Sequence, residues 1–321
     1  MKQNYRAELI RISITDWISF SVCRSVISCR YVIDSHRGLE VRCHMPKVTA
    51  PDDEKELATV TSADGTEIAY ERSGSGPPLV LVHGAIFDRT VWELGDVRST
   101  FAEHNTVYAM DRRCHGDSEH PEAYGVEPQF DDVVSVVESI NEPVHLLGHS
   151  GGANFALGAA PRIDNLRSLI LYEPYIPSDE DVDDVEETIA EMIALLDEGR
   201  NERALALFLG DVAQLTADEL DELRSAPIWD AHVNTFHQTL LPGLETFEEH
   251  EWDLTTFEDL STPTLLLVGS ESGHLKETGE ELHDTLPSSR LTTFDGHGHA
   301  ANIVAPDRFT DEVLSFISEV D

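Results

Sequence analysis

A series of short, unbroken apolar runs, separated by segments of helical spacing, most constrains what this chain can fold into. The runs are Pro78–Val82, Asn105–Met110, Val144–Leu147, Leu166–Tyr172 and Thr264–Val268, with a weaker one at Arg290–Phe294. A strand with one wet face alternates apolar and polar residues; an unbroken run needs cover on both faces, as parallel strands under helices have. Val126–Ile140 carries Phe130, Val133, Val134, Val137 and Ile140 at helical spacing, and Asp307–Val320 does so with Phe309, Val313, Leu314, Phe316 and Ile317. Ahead of the series, Ala58–Thr61 and Glu67–Glu71 flank an Asp64-Gly65 turn, a hairpin signal. Strands alternating with helices imply one α/β domain with a mostly parallel sheet.

One interval breaks this rhythm. Residues 176–258 contain no strand pattern and read as consecutive helices, inserted after the sixth strand of the series. Ser178 is placed to cap a helix running to about Leu196 and Asn201 one running to about Leu209, while Thr216 with Glu219 forms a capping box. Such an all-helical insert is expected to lie as a lid over the strand ends.

Charge narrows the partners. The chain holds 22 Lys plus Arg against 61 Asp plus Glu, a net charge of −39. Residues 1–44 hold seven basic and four acidic residues, so 45–321 hold fifteen against fifty-seven. The only lysines are Lys2, Lys47, Lys55 and Lys276. This excludes a basic face for nucleic acid. A dense acidic surface repels itself until salt shortens the screening length to about 3 Å at 1 M. The composition resembles that of proteins from the salt-filled cytoplasm of extreme halophiles, and a cytoplasmic location in high salt is the expectation. Cys114 is the one cysteine after residue 44, so no disulfide can form within the body, which suits a reducing compartment. No uncharged apolar run reaches the length of about 18 residues that a spanning helix needs.

Residues 1–44 differ from the rest in charge, in carrying Cys23, Cys29 and Cys43, and in lacking clear periodicity. A secretory signal would need an unbroken apolar stretch, and Asp16 and Arg24 interrupt Ile10–Ile33. An interaction or membrane-surface extension is a second reading. The sequence favours a third, a mis-assigned start with Met45 beginning the protein, because the acidic character sets in at Asp52, Asp53, Glu54 and Glu56. The organisation expected is an extension over 1–44 and one α/β domain over 45–321.

The chemistry is concentrated in Gly148-His149-Ser150-Gly151-Gly152, directly after the run Val144–Leu147 and before the helical stretch Ala153–Ala160. A serine exposed on a sharp strand-to-helix turn has strained backbone angles, and glycines two residues either side relieve the crowding. The following helix aims its amino end at developing negative charge. With this motif so placed, residues 58–320 resemble the α/β-hydrolase family. The resemblance implies a mostly parallel eight-stranded sheet flanked by helices, with a helical lid. It makes Ser150 the nucleophile. His83-Gly84 then resembles the oxyanion loop, with the Ala85 and Gly151 N–H groups as donors. Asp111-Arg112-Arg113-Cys114-His115-Gly116-Asp117-Ser118 is similar to the family's D-x-R-G-H-G-x-S loop, with Cys114 in place of a glycine, and is read as structural. In Gly296-His297-Gly298-His299 the family's G-H pair falls on His299, making it the base and His297 a loop residue.

The acid departs from the pattern. Where the family carries aspartate after its seventh strand, this chain reads Gly269-Ser270-Glu271-Ser272, with serine at the expected place. Two carboxylates can replace it. Glu173 closes the sixth strand in Leu171-Tyr172-Glu173-Pro174, where some family members, haloalkane dehalogenases among them, keep their acid. The family's strand order would put it about 4.8 Å, one strand spacing, from the nucleophile's strand. Glu271 is one residue short of the usual place, a shift that turns a side chain away. Glu173 is preferred and Glu271 is the alternative.

The expected function is hydrolysis of an ester-like bond in a small molecule through an acyl-enzyme. No cofactor or metal is implied, since no His/Cys cluster with ligand spacing appears. Acyl transfer, carbon–carbon bond hydrolysis and cofactor-free haloperoxidase activity stay open, as does a ligand-binding member with little turnover. A monomer and a homodimer are equally compatible with the sequence.

Overall fold

The structure, a computed structural model, describes residues 28–34, 38–44, 55–121, 124–177 and 182–321. Met45 and Ser178, the candidate start and helix cap, lie outside the described residues. The chain divides into two units, 1–53 and 54–321. In the first, Ser28–Asp34 and Gly38–His44 pair antiparallel, an arrangement that no periodicity in the sequence announces.

The second unit holds eight strands: β1 (Glu56–Thr61), β2 (Glu67–Gly74), β3 (Pro78–Val82), β4 (Thr106–Met110), β5 (Val144–His149), β6 (Leu166–Tyr172), β7 (Thr264–Gly269) and β8 (Ser289–Phe294). They form one sheet in the order β1-β2-β4-β3-β5-β6-β7-β8. Strand β2 runs antiparallel to β1 and β4; the other pairs are parallel.

The unbroken apolar runs are explained by what covers each face. Leu79, Leu81, Leu147, Ile170, Leu265 and Leu267 join one buried cluster, with Phe101 of α1 (Val97–Ala102) and Phe309 and Val313 of α11 (Pro306–Val320). The intervening Val80, Val82, Leu146, Leu169, Leu171 and Leu266 join the other, with Phe130, Val133 and Val137 of α2 (Val126–Glu138) and Leu157 of α3 (Gly151–Ala159). Burying each such side chain contributes about 1.5–3 kcal/mol, so neither face tolerates a polar alternate.

The insertion is helical: α4 (Val182–Asp197), α5 (Asn201–Leu207), a wide π-helical turn over Phe208–Val212, α6 (Ala217–Ser225), α7 (Ile228–His232) and α8 (His237–Glu248). The capping box forms as expected, with the Glu219 N–H donating to Thr216 Oγ1 and the Thr216 N–H to Glu219 Oε2. The Asn201 cap does not. Arg200 occupies the cap position without a side-chain bond, and the Asn201 amide reaches across to Asn234 Oδ1 at 3.1 Å. Helices α9 (Gly273–Thr285) and α10 (Ala301–Val304) complete the unit.

Candidate active site

Ser150 stands at the joint between β5 and α3 with φ 56° and ψ −129°. A non-glycine residue held there stores strain of order 1–3 kcal/mol, which the surroundings must over-determine. They do so through backbone: the Ser150 N–H donates to the Tyr172 carbonyl at 2.8 Å, and the turn is crossed at close quarters. A Cβ on Gly148 would stand 2.4 Å from the Gly152 oxygen, and one on Gly152 2.3 and 2.4 Å from the Val82 and His83 oxygens. Carbonyls cannot swing aside as side chains can, so both positions require glycine.

Strand register brings the next group alongside. His149 pairs with Tyr172, so Ser150 and Glu173 each follow the paired ends of adjacent strands. Glu173 is fully buried, at φ 47°. Its Oε2 lies 2.5 Å from His299 Nδ1, and its Oε1 accepts the Gly269 N–H at 2.5 Å. Glu271 is exposed and takes the Ser270 hydroxyl at 3.0 Å; it does not meet His299. Ser272 is buried, with no hydrogen-bond partner for its hydroxyl among the described residues. His297 is half-buried, while His299 is buried and faces a cavity.

The loop carrying His299 is held from several sides. Tyr172 donates its hydroxyl to the Gly298 carbonyl at 2.9 Å and accepts the Ala301 N–H at 2.8 Å. His149 Nε2–H donates to the His299 carbonyl at 3.0 Å, and its ring stacks on Tyr172. Burial and the neighbouring His299 hold the His149 imidazole well below its ordinary pKa, hence neutral. Glu219 reaches over from the helical insertion: Oε2 caps α6, and Oε1 accepts the Gly298 N–H at 2.9 Å. The sequence shows Glu219 only as a helix cap; nothing in its spacing signals the second bond, and His149 is legible only as the middle of a glycine motif.

The loop after β3 has its own clamp. His83 Nε2 accepts the Arg112 N–H at 3.0 Å, which leaves the ring proton on Nδ1, and that N–H donates to the Gly84 carbonyl at 2.8 Å. Arg112 Nη1 donates to the same carbonyl at 2.8 Å. In a trans peptide the C=O and the following N–H point in opposite directions, so two donors on the Gly84 oxygen turn the Ala85 N–H away from themselves. The Ala85 nitrogen lies 3.9 Å from where a Cβ on Gly151 would stand. Below this loop, Arg113 grips Asp132 through two bonds of 2.7 Å and Asp64 at 2.9 Å. Cys114, at φ 67°, occupies a backbone conformation that suits the glycine it replaces. His115 is buried, with its nitrogens near the Arg113 and Ala85 carbonyls, and desolvation lowers its pKa to about 3.

Ser150, His299, Ala85 and Gly151 share a cavity of about 390 Å³. The insertion contributes Val185, Ile189, Phe208 and Leu240, among others, to its wall, and most of the lining is apolar. Among the described residues, no three or more His, Cys, Asp or Glu side chains are grouped to hold a metal, and no helix is long and apolar enough to cross a membrane.

Known proteins share this arrangement of elements. The sequence profile described as "Alpha/beta hydrolase family" matches residues 79–312. The crystal structure of an alpha/beta hydrolase from Sphaerobacter thermophilus is 32% identical, with a TM-score of 0.66, covering 81% of this chain and 100% of that one. A 2-hydroxymuconate semialdehyde hydrolase from a Pseudomonas species is 29% identical over 85% of this chain and 98% of its own length. A putative esterase/lipase from Haemophilus influenzae is 24% identical over 76% of this chain and 84% of its own.

Proposed function

This chain belongs to the alpha/beta hydrolase family, and we propose that it hydrolyses an ester-like bond of a small molecule through an acyl-enzyme on Ser150. A serine hydroxyl is a weak nucleophile until an imidazole takes its proton. In this reading Glu173 holds the His299 proton on Nδ1, freeing Nε2 to receive the Ser150 proton and then return it to the leaving alcohol. The Ala85 and Gly151 N–H groups stabilise the tetrahedral oxyanion; losing one such donor typically costs about 2.7–4 kcal/mol of barrier. Water then frees the acyl group, with His299 as base again. The helical insertion acts as a lid that keeps the cavity largely dry and shapes it for the substrate.

The single observation that carries this reading is the buried contact of 2.5 Å between Glu173 and His299, on a residue that shares its cavity with Ser150. A glutamate buried without such a task would be costly. The acidic composition suggests operation in molar salt inside a cell. The test is turnover of p-nitrophenyl esters of graded acyl length in concentrated KCl. Wild type should hydrolyse them and Ser150→Ala should not; undiminished turnover by the variant would remove the reading.

A further inference from the structure

Arg112 is 4% exposed and lines the cavity that Ser150 lines. A Cβ on Gly151 would stand 3.8 Å from its Nη1. Its Nε donates to Gln129 Oε1 at 3.0 Å, Nη1 to the Gly84 carbonyl at 2.8 Å and Nη2 to the Tyr124 hydroxyl at 3.3 Å. The guanidinium carries five N–H donors, so one remains on each terminal nitrogen, the pair a carboxylate takes. The guanidinium lies over the Phe155 ring, with 4.7 Å from its carbon to the ring centre.

No carboxylate pairs with Arg112 among the described residues, in a chain with 61 of them. The other buried arginines are not left so. Arg98 is paired with Glu71 and Glu93, and Arg113 with Asp132 and Asp64. Exposed Arg162 and half-buried Arg290 each hold two acidic partners as well. Among the described residues, the cavity wall includes no Asp or Glu. Burial pushes the Arg112 guanidinium below its ordinary range, yet an arginine stays protonated in proteins. The Asp132 charge acts on Arg112 only from a distance, and a buried cation with no carboxylate in direct contact among the described residues is costly to keep, so its place on the cavity wall suits an anion that arrives with the substrate.

We propose that Arg112 binds a carboxylate on the substrate, so that preferred substrates are esters bearing a free carboxylate a few atoms from the scissile carbonyl, such as half-esters of short dicarboxylic acids. This rests on the ester-hydrolase reading for its chemistry but not for the binding itself. Arg112 also holds the Gly84 peptide, so its replacement is expected to slow all substrates; recognition of charge is therefore read from a ratio.

The measurement is kcat/KM for mono-p-nitrophenyl glutarate divided by that for p-nitrophenyl pentanoate. Wild type should favour the half-ester, and Arg112→Gln should lower the ratio about 10- to 100-fold, the range for losing hydrogen bonds to a charged group. Arg112→Lys should retain part of it. A ratio unchanged in Arg112→Gln would reduce the arginine to a prop for the Gly84 peptide. In parallel, calorimetry on Ser150→Ala should detect monomethyl glutarate but not dimethyl glutarate, and the signal should vanish in the double variant with Arg112→Gln. Equal binding of the two ligands overturns the proposal even if the arginine variants do not fold. Arg112-dependent binding in a protein that turns over neither ester would sink the hydrolase reading and leave the carboxylate site standing.

Discussion

Glutamine at position 173 is nearly isosteric with glutamate but can accept only one of the two N–H groups that the native side chain accepts at 2.5 Å, from His299 and Gly269. Its amide NH₂ must face the other. If the amide oxygen faces His299, the buried Gly269 N–H loses its acceptor, at about 1–3 kcal/mol. If it faces Gly269, the NH₂ meets Nδ1 and the imidazole proton shifts to Nε2, the nitrogen required to accept from Ser150. The second arrangement is the cheaper for folding, because an imidazole can exchange tautomers whereas the Gly269 N–H is fixed in the chain. Stability should therefore change by about 1 kcal/mol or less, on the scale of a single net hydrogen bond. Activity should fall about 10³- to 10⁴-fold, the scale of the analogous aspartate-to-asparagine change in a serine protease. That loss corresponds to about 4–5.4 kcal/mol of barrier at 1.36 kcal/mol per decade. The assay is kcat and KM on p-nitrophenyl butyrate with urea unfolding alongside, and exposed Glu271→Gln as the control. A loss under ten-fold in Glu173→Gln, or an equal loss in Glu271→Gln, refutes the reasoning.

Other consequences follow from the same contacts. Gly152→Ala pushes a methyl group against the Val82 and His83 carbonyls and should destabilise by about 3 kcal/mol, at the upper end for overpacking; urea unfolding at wild-type stability would contradict the crossing geometry. Glu219→Gln strips one acceptor from the pair Gly298 N–H and Thr216 N–H, so about 1–3 kcal/mol of stability and a several-fold share of kcat should be lost together. An unchanged kcat would deny Glu219 a part in placing His299. Burial lowers the pKa of His83, His115, His145 and His149, so below about pH 6.5 the unfolded chain binds protons that the folded one refuses. Stability should then drop as pH falls from 6.5, continuing toward the His115 value of about 3; an unfolding midpoint level between pH 7.5 and 5.5 would count against it. With a net charge of −39, the thermal midpoint should rise with KCl into the molar range, and a flat response would defeat the halophile reading.

Much of this fold is legible because burial on both sheet faces leaves a dense apolar signature. Pro78–Val82 and Leu166–Tyr172 run over the residues the sequence marks, and the other strands end within three residues of the expectation. The strand-to-helix turn at Ser150 is legible because steric demand writes glycines at fixed spacing. The proposed acid is less legible, since two glutamates lie near strand ends and register alone separates them: Glu173 follows the paired end of β6, while Glu271 is exposed. Contacts across the fold left no local trace. Glu219 satisfies a helix end and the Gly298 N–H at once, and only the first job has a sequence pattern. Arg112 looks like one more member of a structural loop until its lack of a carboxylate partner among the described residues is set beside the paired Arg113. The Asn201 cap is not realised because Asn201 is already inside the helix, with Arg200 at the cap position, and its amide donates to Asn234.

The most direct test of the account is covalent labelling with a fluorophosphonate, which reacts with a serine only where a base has activated it. Peptide mapping after labelling should place the adduct on the segment containing Ser150, with labelling abolished in Ser150→Ala and strongly slowed in His299→Ala. An unlabelled wild-type protein, or an adduct on another serine, would contradict it.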